Sequence, residues 1–398
     1  MDWAMARTML VSRGNPDGSS NADVLRPVFN GTALTRRETG KWIIDFGSET
    51  PIHAACKFQA PFEYVERIVL PERKKNKRKL YRDRWWLFAE TRPTMRRAQA
   101  AHPRCLATAY VSKYRLFTWL NTNTVPADGL FIFARSDDYF FGVLHSSIHE
   151  LWARRMGTQL REAESGFRYT PTTCFETFPL PWPPGGEPTQ SPHIHVGGSS
   201  QRPQQPPDMN VGARSAPPAV NGGARKEPPA VNGGARSEPP DINVGGRRYE
   251  RISEAARVLN EQRERWLNPP EWIEPLARAV DAEDDFADVP QPARALIRQS
   301  AIAARAAKDA RLKKRTLTNL YNERPTWLRL AHEQLDRTVL EAYAAVDPDG
   351  AWSPDWAEVW IETGAGQPLP DEHPLAVRRR EVDQLVLANL LRMNLARR

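Results

Sequence analysis

The chain has 398 residues, 40% of them hydrophobic, which is enough for two or three domains with buried cores. Its 56 Lys and Arg exceed its 48 Asp and Glu and give a formal charge of +8, so the basic excess must be located before it indicates a partner. Three widely spaced cysteines and the lack of an apolar run of ~18 residues argue against a disulfide framework, a cysteine-rich zinc module and a helical membrane protein, and we expect a cytoplasmic location.

Short aromatic and β-branched runs fill the first part of the chain. They are separated by Gly, Pro, Asp and Asn, which is typical of strands. The predicted strands are WIIDFG (42–47), WWLFA (85–89), CLATAYV (105–111), LFTWL (116–120), GLFIFAR (129–135) and YFFGVLH (139–145). Two stretches between them, 61–84 and 147–157, have the apolar spacing of helices. We predict an α+β domain over residues 1–184.

A basic run lies inside the first predicted helix, and Trp85 and Trp86 follow it directly. Its cations are Arg73, Lys74, Lys75, Lys77, Arg78, Lys79, Arg82 and Arg84. Cations at this density can neutralise several phosphates and release their counterions, which gives affinity for nucleic acid of any sequence. A solvated helix face has the same composition, so both interpretations stay open here.

Two motifs in this part have the residue types of metal sites. His145 and His149 are four residues apart, but Glu150 lies outside the pair and no third ligand is evident. A satisfied polar side chain at a strand-to-helix junction explains His149 better. Glu72-Arg73-Lys74 resembles half of a nuclease site, yet the nearest upstream carboxylate is the distant Asp45. We therefore predict no metal site.

An eleven-residue unit repeats four times, beginning at Pro206, Pro217, Pro228 and Pro239. These units hold too few apolar residues to offset the entropy of ordering the chain. We predict a disordered Pro/Gly-rich linker over residues 185–248. Its regularly spaced arginines could contact a polyanion, but a repeat-expanded loop without a role is the simpler interpretation.

After the linker the pattern becomes helical over residues 249–398. Apolar residues recur at three-and-four spacing, as in Leu328, Ala331, Leu335, Val339 and Ala342. The predicted helices are 249–267, 293–315, 326–346 and 377–396. Amphipathic helices need a partner surface, so we expect this region to pack back on the first domain.

The stretch RWLNPPEW at 265–272 contains an Asn-Pro-Pro sequence. When an aromatic residue follows, this motif lets amino-methyltransferases hold a flipped adenine or cytosine. Here Glu271 takes the aromatic position, and no Gly-rich turn follows a first strand to admit the methyl donor. A helix stop explains Asn268-Pro269-Pro270 equally well, because proline cannot continue a helix. We predict no catalytic residue and no bound cofactor in this chain.

Five colinear stretches resemble one protein family. They are 21–47, 61–86, 137–160, 168–184 (RYTPTTCFETFPLPWPP) and 317–343 (LTNLYNERPTWLRLAHEQLDRTVLEAY). Together they are similar to the carboxyl-terminal target-recognition region of MmeI-like (type IIG/IIL) adenine-specific DNA methyltransferases, which belong to restriction-modification and related phage-defence systems. The linker and residues 344–366 depart from the family pattern.

The resemblance implies a division of labour. In that family a preceding S-adenosylmethionine-dependent domain methylates adenine at N6, and the region similar to this chain selects the DNA sequence. The chain is then a fragment or a separate subunit, without catalysis of its own. Its implied partners are double-stranded DNA and a catalytic methyltransferase domain or subunit, which would bind the S-adenosylmethionine.

The expected DNA contacts follow from this resemblance. The basic helix at 73–84 would contact phosphates, and polar loops would read bases. The predicted DNA-binding residues are Arg36, Arg37, Arg73, Lys74, Lys75, Lys77, Arg78, Lys113, Arg115, Tyr169 and Thr170. Two alternatives stay open. One is a noncatalytic protein-interaction module of a defence complex, and the other is RNA or single-strand binding by stacking on Trp85, Trp86, Tyr114 and Phe117.

Overall fold

The computed structural model describes residues 1–127, 129–159, 166–188, 242–363 and 369–397. The predicted α+β class is confirmed: the strands lie between residues 25 and 168, and the described residues from 242 onward form only helices and turns. Most of the predicted linker lies outside the described residues. Its last residues belong to a long helix that begins at Ile242, and Gly245 of this helix lies beside Pro188.

Strands and helices alternate in the first half of the chain, and helices make up the described second half. The strands are β1 Leu25–Phe29, β2 Trp42–Ile44, β3 Arg104–Ala109, β4 Val111–Ser112, β5 Phe117–Asn121, β6 Val125–Pro126, β7 Leu130–Phe133, β8 Thr158–Gln159 and β9 Phe167–Arg168. The helices up to residue 156 are α1 Trp3–Val11, α2 Gly31–Thr35, α3 Ile52–Ala55, α4 Gln59–Ile68, α5 Leu70–Lys74, α6 Lys79–Asp83, α7 Pro93–Ala100, α8 Asp138–His145 and α9 Ser147–Met156. The later helices are α10 Ile242–Leu267, α11 Pro270–Glu283, α12 Ala293–Ala306, α13 Leu317–Glu323, α14 Thr326–Val346, α15 Trp356–Thr363 and α16 Pro374–Ala396.

The described strands form small sheets with the orders β2-β1-β6, β5-β3-β7 and β4-β9-β8. In the second sheet β3 is antiparallel to both neighbours, with Leu106 opposite Trp119 and Phe133. In the first sheet β1 runs parallel to β6, and Ala127 N donates to Phe29 O at 2.8 Å. This pairing brings the turn after β1 close to the turn that follows β6.

Two hydrophobic cores join the early and late parts of the chain. The larger core packs the sheet β5-β3-β7, α8 and α9 against the later helices, through fully buried residues such as Phe117, Leu259, Leu335 and Val386. The smaller core packs β1, β2 and α4 against α11 and α12. The prediction that the helical region packs back on the first domain is therefore confirmed.

Several predicted elements are wrong. Residues 139–145 form α8 rather than a strand: Asp137 caps this helix by accepting from Phe140 N at 2.8 Å, and the helix is buried on all sides, so its sequence lacks a polar face. Residues 85–89 form turns instead of a strand, because Trp85 and Trp86 pack onto the smaller core. The predicted helix 61–84 is divided into α4, α5 and α6, and the chain turns at Asn76 between the last two.

Candidate nucleic-acid interface

A polar cleft opens where the β1–α2 turn, the β3–β4 turn and the start of α13 meet. It consists of two adjoining hollows of about 420 and 380 Å³ that share Thr35 and Val111. The lining residues are Asn30, Gly31, Thr32, Thr35, Arg36, Ala109, Tyr110, Val111, Ser112, Lys113, Gly129, Thr316, Thr318 and Asn319. Hydroxyl, amide and cationic side chains of this kind are the groups that contact base edges and phosphates.

The first wall of the cleft is the short helix α2. Asn30 caps it by accepting from Ala33 N at 2.8 Å, and Thr35 Oγ1 donates to Gly31 O at 3.0 Å. Thr32, Thr35 and Arg36 line the cleft. Arg36 is exposed, and its guanidinium has no hydrogen-bond or ion-pair partner among the described residues. This wall therefore presents a cation that is available to a ligand.

The second wall runs from Ala109 to Lys113. The Tyr110 ring stacks on Phe131 with centroids 4.0 Å apart, and Tyr110 N donates to Gly129 O at 2.8 Å. The Arg154 guanidinium donates to Lys113 O at 3.1 Å, which fixes the backbone of Lys113 while its ammonium remains exposed. A second cation is thus held at the cleft.

The third wall comes from α13 in the late part of the chain. Leu317, Leu320 and Tyr321 face the core and are at most 5% exposed, which turns Thr318 and Asn319 toward the cleft. Thr318 Oγ1 donates to Thr35 O at 2.8 Å and so joins the third wall to the first. This wall was not predicted from the sequence, although the cap at Thr316, which accepts from Asn319 N, was a signal for the helix.

Two of the predicted base-reading residues meet in the cleft, and Arg37 does not. Arg36 and Lys113 lie on opposite walls. The Arg37 guanidinium instead donates to Leu267 O at 2.9 Å and to Asn268 Oδ1 at 2.6 Å, at the carboxyl end of α10. Arg37 ties the first wall to the helical region, so we correct its role from reading to positioning.

Arg115 and Tyr169 are interior residues, 3% and 0% exposed, so the prediction that they read bases is wrong. The Arg115 guanidinium donates to Thr108 Oγ1 at 2.9 Å and lies 4.7 Å from the ring centroids of both Phe167 and Tyr169. Burial lowers the pKa of Arg115 to about 10. These contacts join the turn after β4 to β3 and β9. Thr170 is half-buried at the start of the π-helical turn after β9 and does not line the cleft.

The predicted phosphate-binding residues form an exposed basic segment, defined here as residues 70–84. The side chains exposed to solvent are Lys74, Lys75, Lys77, Arg78, Lys79, Arg82 and Arg84. Lys75 pairs with Glu72 at 2.9 Å, and Arg73 is half-buried with its guanidinium 4.7 Å from the Tyr81 ring centroid. Like charges crowded on two short helices and a turn attract polyanions such as DNA.

The four aromatic residues proposed for stacking on single strands do not form a flat exposed surface. Phe117 is 0% exposed and belongs to the larger core, and Trp85 and Trp86 are half-buried against the smaller one. Tyr114 is also half-buried, with its hydroxyl 2.9 Å from Asn322 Oδ1. The observed burial therefore disfavours the stacking alternative.

The remaining motifs have structural explanations. Asn268-Pro269-Pro270 joins α10 to α11, so the helix-stop interpretation is confirmed. His149 lies at a helix-to-helix junction, not the predicted strand-to-helix junction; Nδ1 contacts Leu144 O at 2.8 Å and Nε2 contacts Tyr169 OH at 3.1 Å. In the parts of the chain that the structure describes, no three His, Cys, Asp or Glu side chains are grouped as metal ligands, and no helix could cross a bilayer.

Comparison with known proteins finds a similarity in the first part of the chain. Residues 18–182 match the family model described as "MmeI, target recognition domain", which confirms the resemblance found in the sequence. A comparison with curated proteins gives no significant match. Among solved structures, a chain of the type IIL restriction-modification enzyme MmeI in complex with DNA is 13% identical, with a TM-score of 0.44, over 92% of this chain and 32% of that chain. The chain thus spans about a third of the length of that enzyme.

Proposed function

We infer that the MmeI-type target recognition domain formed by residues 18–182 reads duplex DNA on behalf of an S-adenosylmethionine-dependent adenine-N6 methyltransferase. The match to the family model is the observation that carries this proposal. The second partner is the catalytic methyltransferase domain or subunit of a restriction-modification or phage-defence system, and S-adenosylmethionine binds there. The proposed location is the cytoplasm.

The basic segment supplies affinity for any sequence. Of its exposed cations only Lys75 has an ion-pair partner among the described residues, so the others can replace the counterions of DNA phosphates. Contacts of this kind fix the register and orientation of the protein on the duplex but carry no base information. Sequence selection must come from other groups.

The polar cleft supplies those groups. Arg36 and Lys113 can donate to guanine O6 and N7, and the Thr32 hydroxyl can donate or accept. The hydroxyls of Thr35 and Thr318 already donate to Gly31 O and Thr35 O, so they can accept from a base amino group. The cleft is held by the Asn30 cap, the Thr318–Thr35 bond and the Arg37 contacts. A rigid array of donors is what discrimination between base pairs requires, because a mobile donor adapts to every base.

A gel-shift titration of the full chain on duplex DNA tests the proposal. The salt concentration is raised from about 50 to 200 mM, with and without the product of the neighbouring upstream reading frame as catalytic partner. We expect binding that weakens steeply with salt, and adenine methylation only when the catalytic partner and S-adenosylmethionine are added. Absence of DNA binding in both conditions contradicts the proposal, as does methylation by this chain alone.

The same titration separates the alternatives. Stronger competition by single-stranded DNA or RNA than by duplex would favour the single-strand binding function. Association with a defence protein that does not weaken with salt, together with no DNA binding, would favour the protein-interaction module.

A further inference from the structure

We propose that Asn322, on α13 of the helical region, is a specificity-determining residue that donates a hydrogen bond to an acceptor on a base edge. This inference rests on the proposed DNA-reading function and names a residue that helps to determine the recognised DNA sequence. Asn322 lies outside residues 18–182, which the family model covers.

The amide of Asn322 has a fixed orientation. Its Oδ1 accepts from Lys113 Nζ at 2.9 Å and from Tyr114 OH at 2.9 Å. An ammonium group can only donate, so the amide oxygen, not the nitrogen, must face Lys113. The Nδ2 group therefore points away from both partners, and the described residues provide no acceptor for its two N–H bonds.

This free donor lies at the edge of the polar cleft. Lys113 lines the cleft, and Asn319, one helical turn before Asn322, lines it as well. Residues three and four apart on a helix share a face, so Thr318, Asn319 and Asn322 form one polar strip. Asn322 is exposed and is thus accessible to a duplex lying across the cleft.

A buried network holds α13 in place. The Tyr321 hydroxyl lies 2.8 Å from His145 Nε2 and 2.8 Å from His332 Nε2. Arg263, which is 0% exposed, contacts His145 Nε2 at 3.0 Å and donates to Phe117 O at 2.9 Å. The residue directly before Asn322 is therefore anchored to both halves of the chain. The donor is pre-organised, so little ordering is needed when DNA binds.

Because Oδ1 of Asn322 is occupied, this side chain can form hydrogen bonds with only some of the bases. Asparagine usually pairs with adenine by using its oxygen and nitrogen together, on N6 and N7. Here Oδ1 already accepts two hydrogen bonds, so only the donor remains. A lone donor beside an ammonium group fits guanine O6 and N7 or thymine O4, and it opposes the N4 amino group of cytosine. We expect the contacted position to prefer guanine or thymine over cytosine.

Selection from a randomised duplex pool by the full chain tests this, with the parent compared with Asn322→Asp and Asn322→Ala. The aspartate keeps an acceptor for Lys113 but replaces the donor by an acceptor. We expect the parent to select a sequence, the Asp variant to shift one position toward cytosine, and the Ala variant to lose preference at that position. Binding of the Asp variant to the parental sequence should weaken about ten- to hundredfold.

Gln384→Glu is the matched control, because Gln384 is exposed on α16 and the substitution changes the net charge equally. It should select the parental sequence, and thermal unfolding of all variants should match that of the parent. An unchanged selected sequence in both Asn322 variants overturns the inference. Duplex binding by the parent without any selected sequence also overturns it, whereas absence of duplex binding overturns the proposed function itself.

Discussion

Asp336 makes the stability of the protein depend on pH. This carboxylate is 0% exposed and accepts from Ser147 N at 2.7 Å and Ser147 Oγ at 2.6 Å, at the start of α9. Burial raises the pKa of Asp336 to about 7, despite these two bonds. The folded state then binds a proton that the unfolded state releases near pH 4. The bound proton makes its full contribution to the free energy of unfolding below about pH 4. This contribution is lost as the pH rises to about 7.

Replacing Asp336 by Asn should remove this dependence. The amide oxygen still accepts from Ser147 N, but no buried charge develops at neutral pH. We expect the unfolding free energy of Asp336→Asn to vary less between pH 5 and 8, with a gain of about 2–4 kcal/mol over the parent at pH 8. Urea unfolding at several pH values measures it, with the exposed Asp349→Asn as control. A variant less stable than the parent at pH 8 would contradict this account.

At the scale of elements, the basic segment should determine the salt dependence of DNA binding. Lys77 and Arg78 are exposed in the turn between α5 and α6. Replacing both by Gln should lower the slope of log Kobs against log salt by about 2, because each phosphate contact contributes about 0.9. Selectivity among sequences should stay the same, since phosphates carry no base information.

Arg378→Gln with Arg380→Gln is the control, because it removes the same charge from exposed positions on α16. Fluorescence anisotropy over a salt series measures both variants. Equal slopes for the two double variants would show that the total charge of the protein, not the basic segment, sets the salt dependence of DNA binding.

The success of the sequence predictions depended on how each element is buried. The antiparallel strands β3, β5 and β7 were predicted because turn residues bound short aromatic and β-branched runs. The helix α8 was read as a strand because burial on every side removes the polar face that reveals a helix. The caps at Asp137 and Ser146 were the remaining signals of helix.

The site was predicted only in part, for a different reason. Arg36 and Lys113 are exposed cations in polar turns, which is a local property of the sequence. Arg115 has the same local surroundings but is buried against Phe167 and Tyr169, and no local pattern distinguishes the two cases. Asn319 and Asn322 reach the cleft through contacts between distant parts of the chain, which no local pattern in the sequence reveals.

At the scale of the whole molecule, the early and late parts form one folding unit. An added Cβ at Gly142 of α8 would lie 2.9 Å from Ala256 Cβ and 2.9 Å from Ile252 Cγ2, so α8 and α10 are in close contact. Tyr139 also stacks on Tyr249, with ring centroids 4.5 Å apart. Residues 18–182 alone would expose this surface to water, and we infer that the recognition domain needs the helical region to fold.

The repeat-bearing stretch should be dispensable for this unit. Because Pro188 lies beside Gly245, a short Gly/Ser linker can replace residues 189–241 without straining the junction. We expect this variant to keep the thermal stability and DNA affinity of the parent. A longer deletion, 189–252, also removes Tyr249 and Ile252 and should be clearly less stable. Loss of DNA affinity when residues 189–241 are replaced would show that the repeats contribute to binding.

The central claim is that this chain reads sequence through its polar cleft. Its most direct test is the affinity of the full chain for a selected duplex and for duplexes that differ from it by one base pair, at a single salt concentration. We predict that some single changes weaken binding by about 1–3 kcal/mol, while all duplexes keep the same salt dependence. Equal affinity for every duplex would contradict the claim.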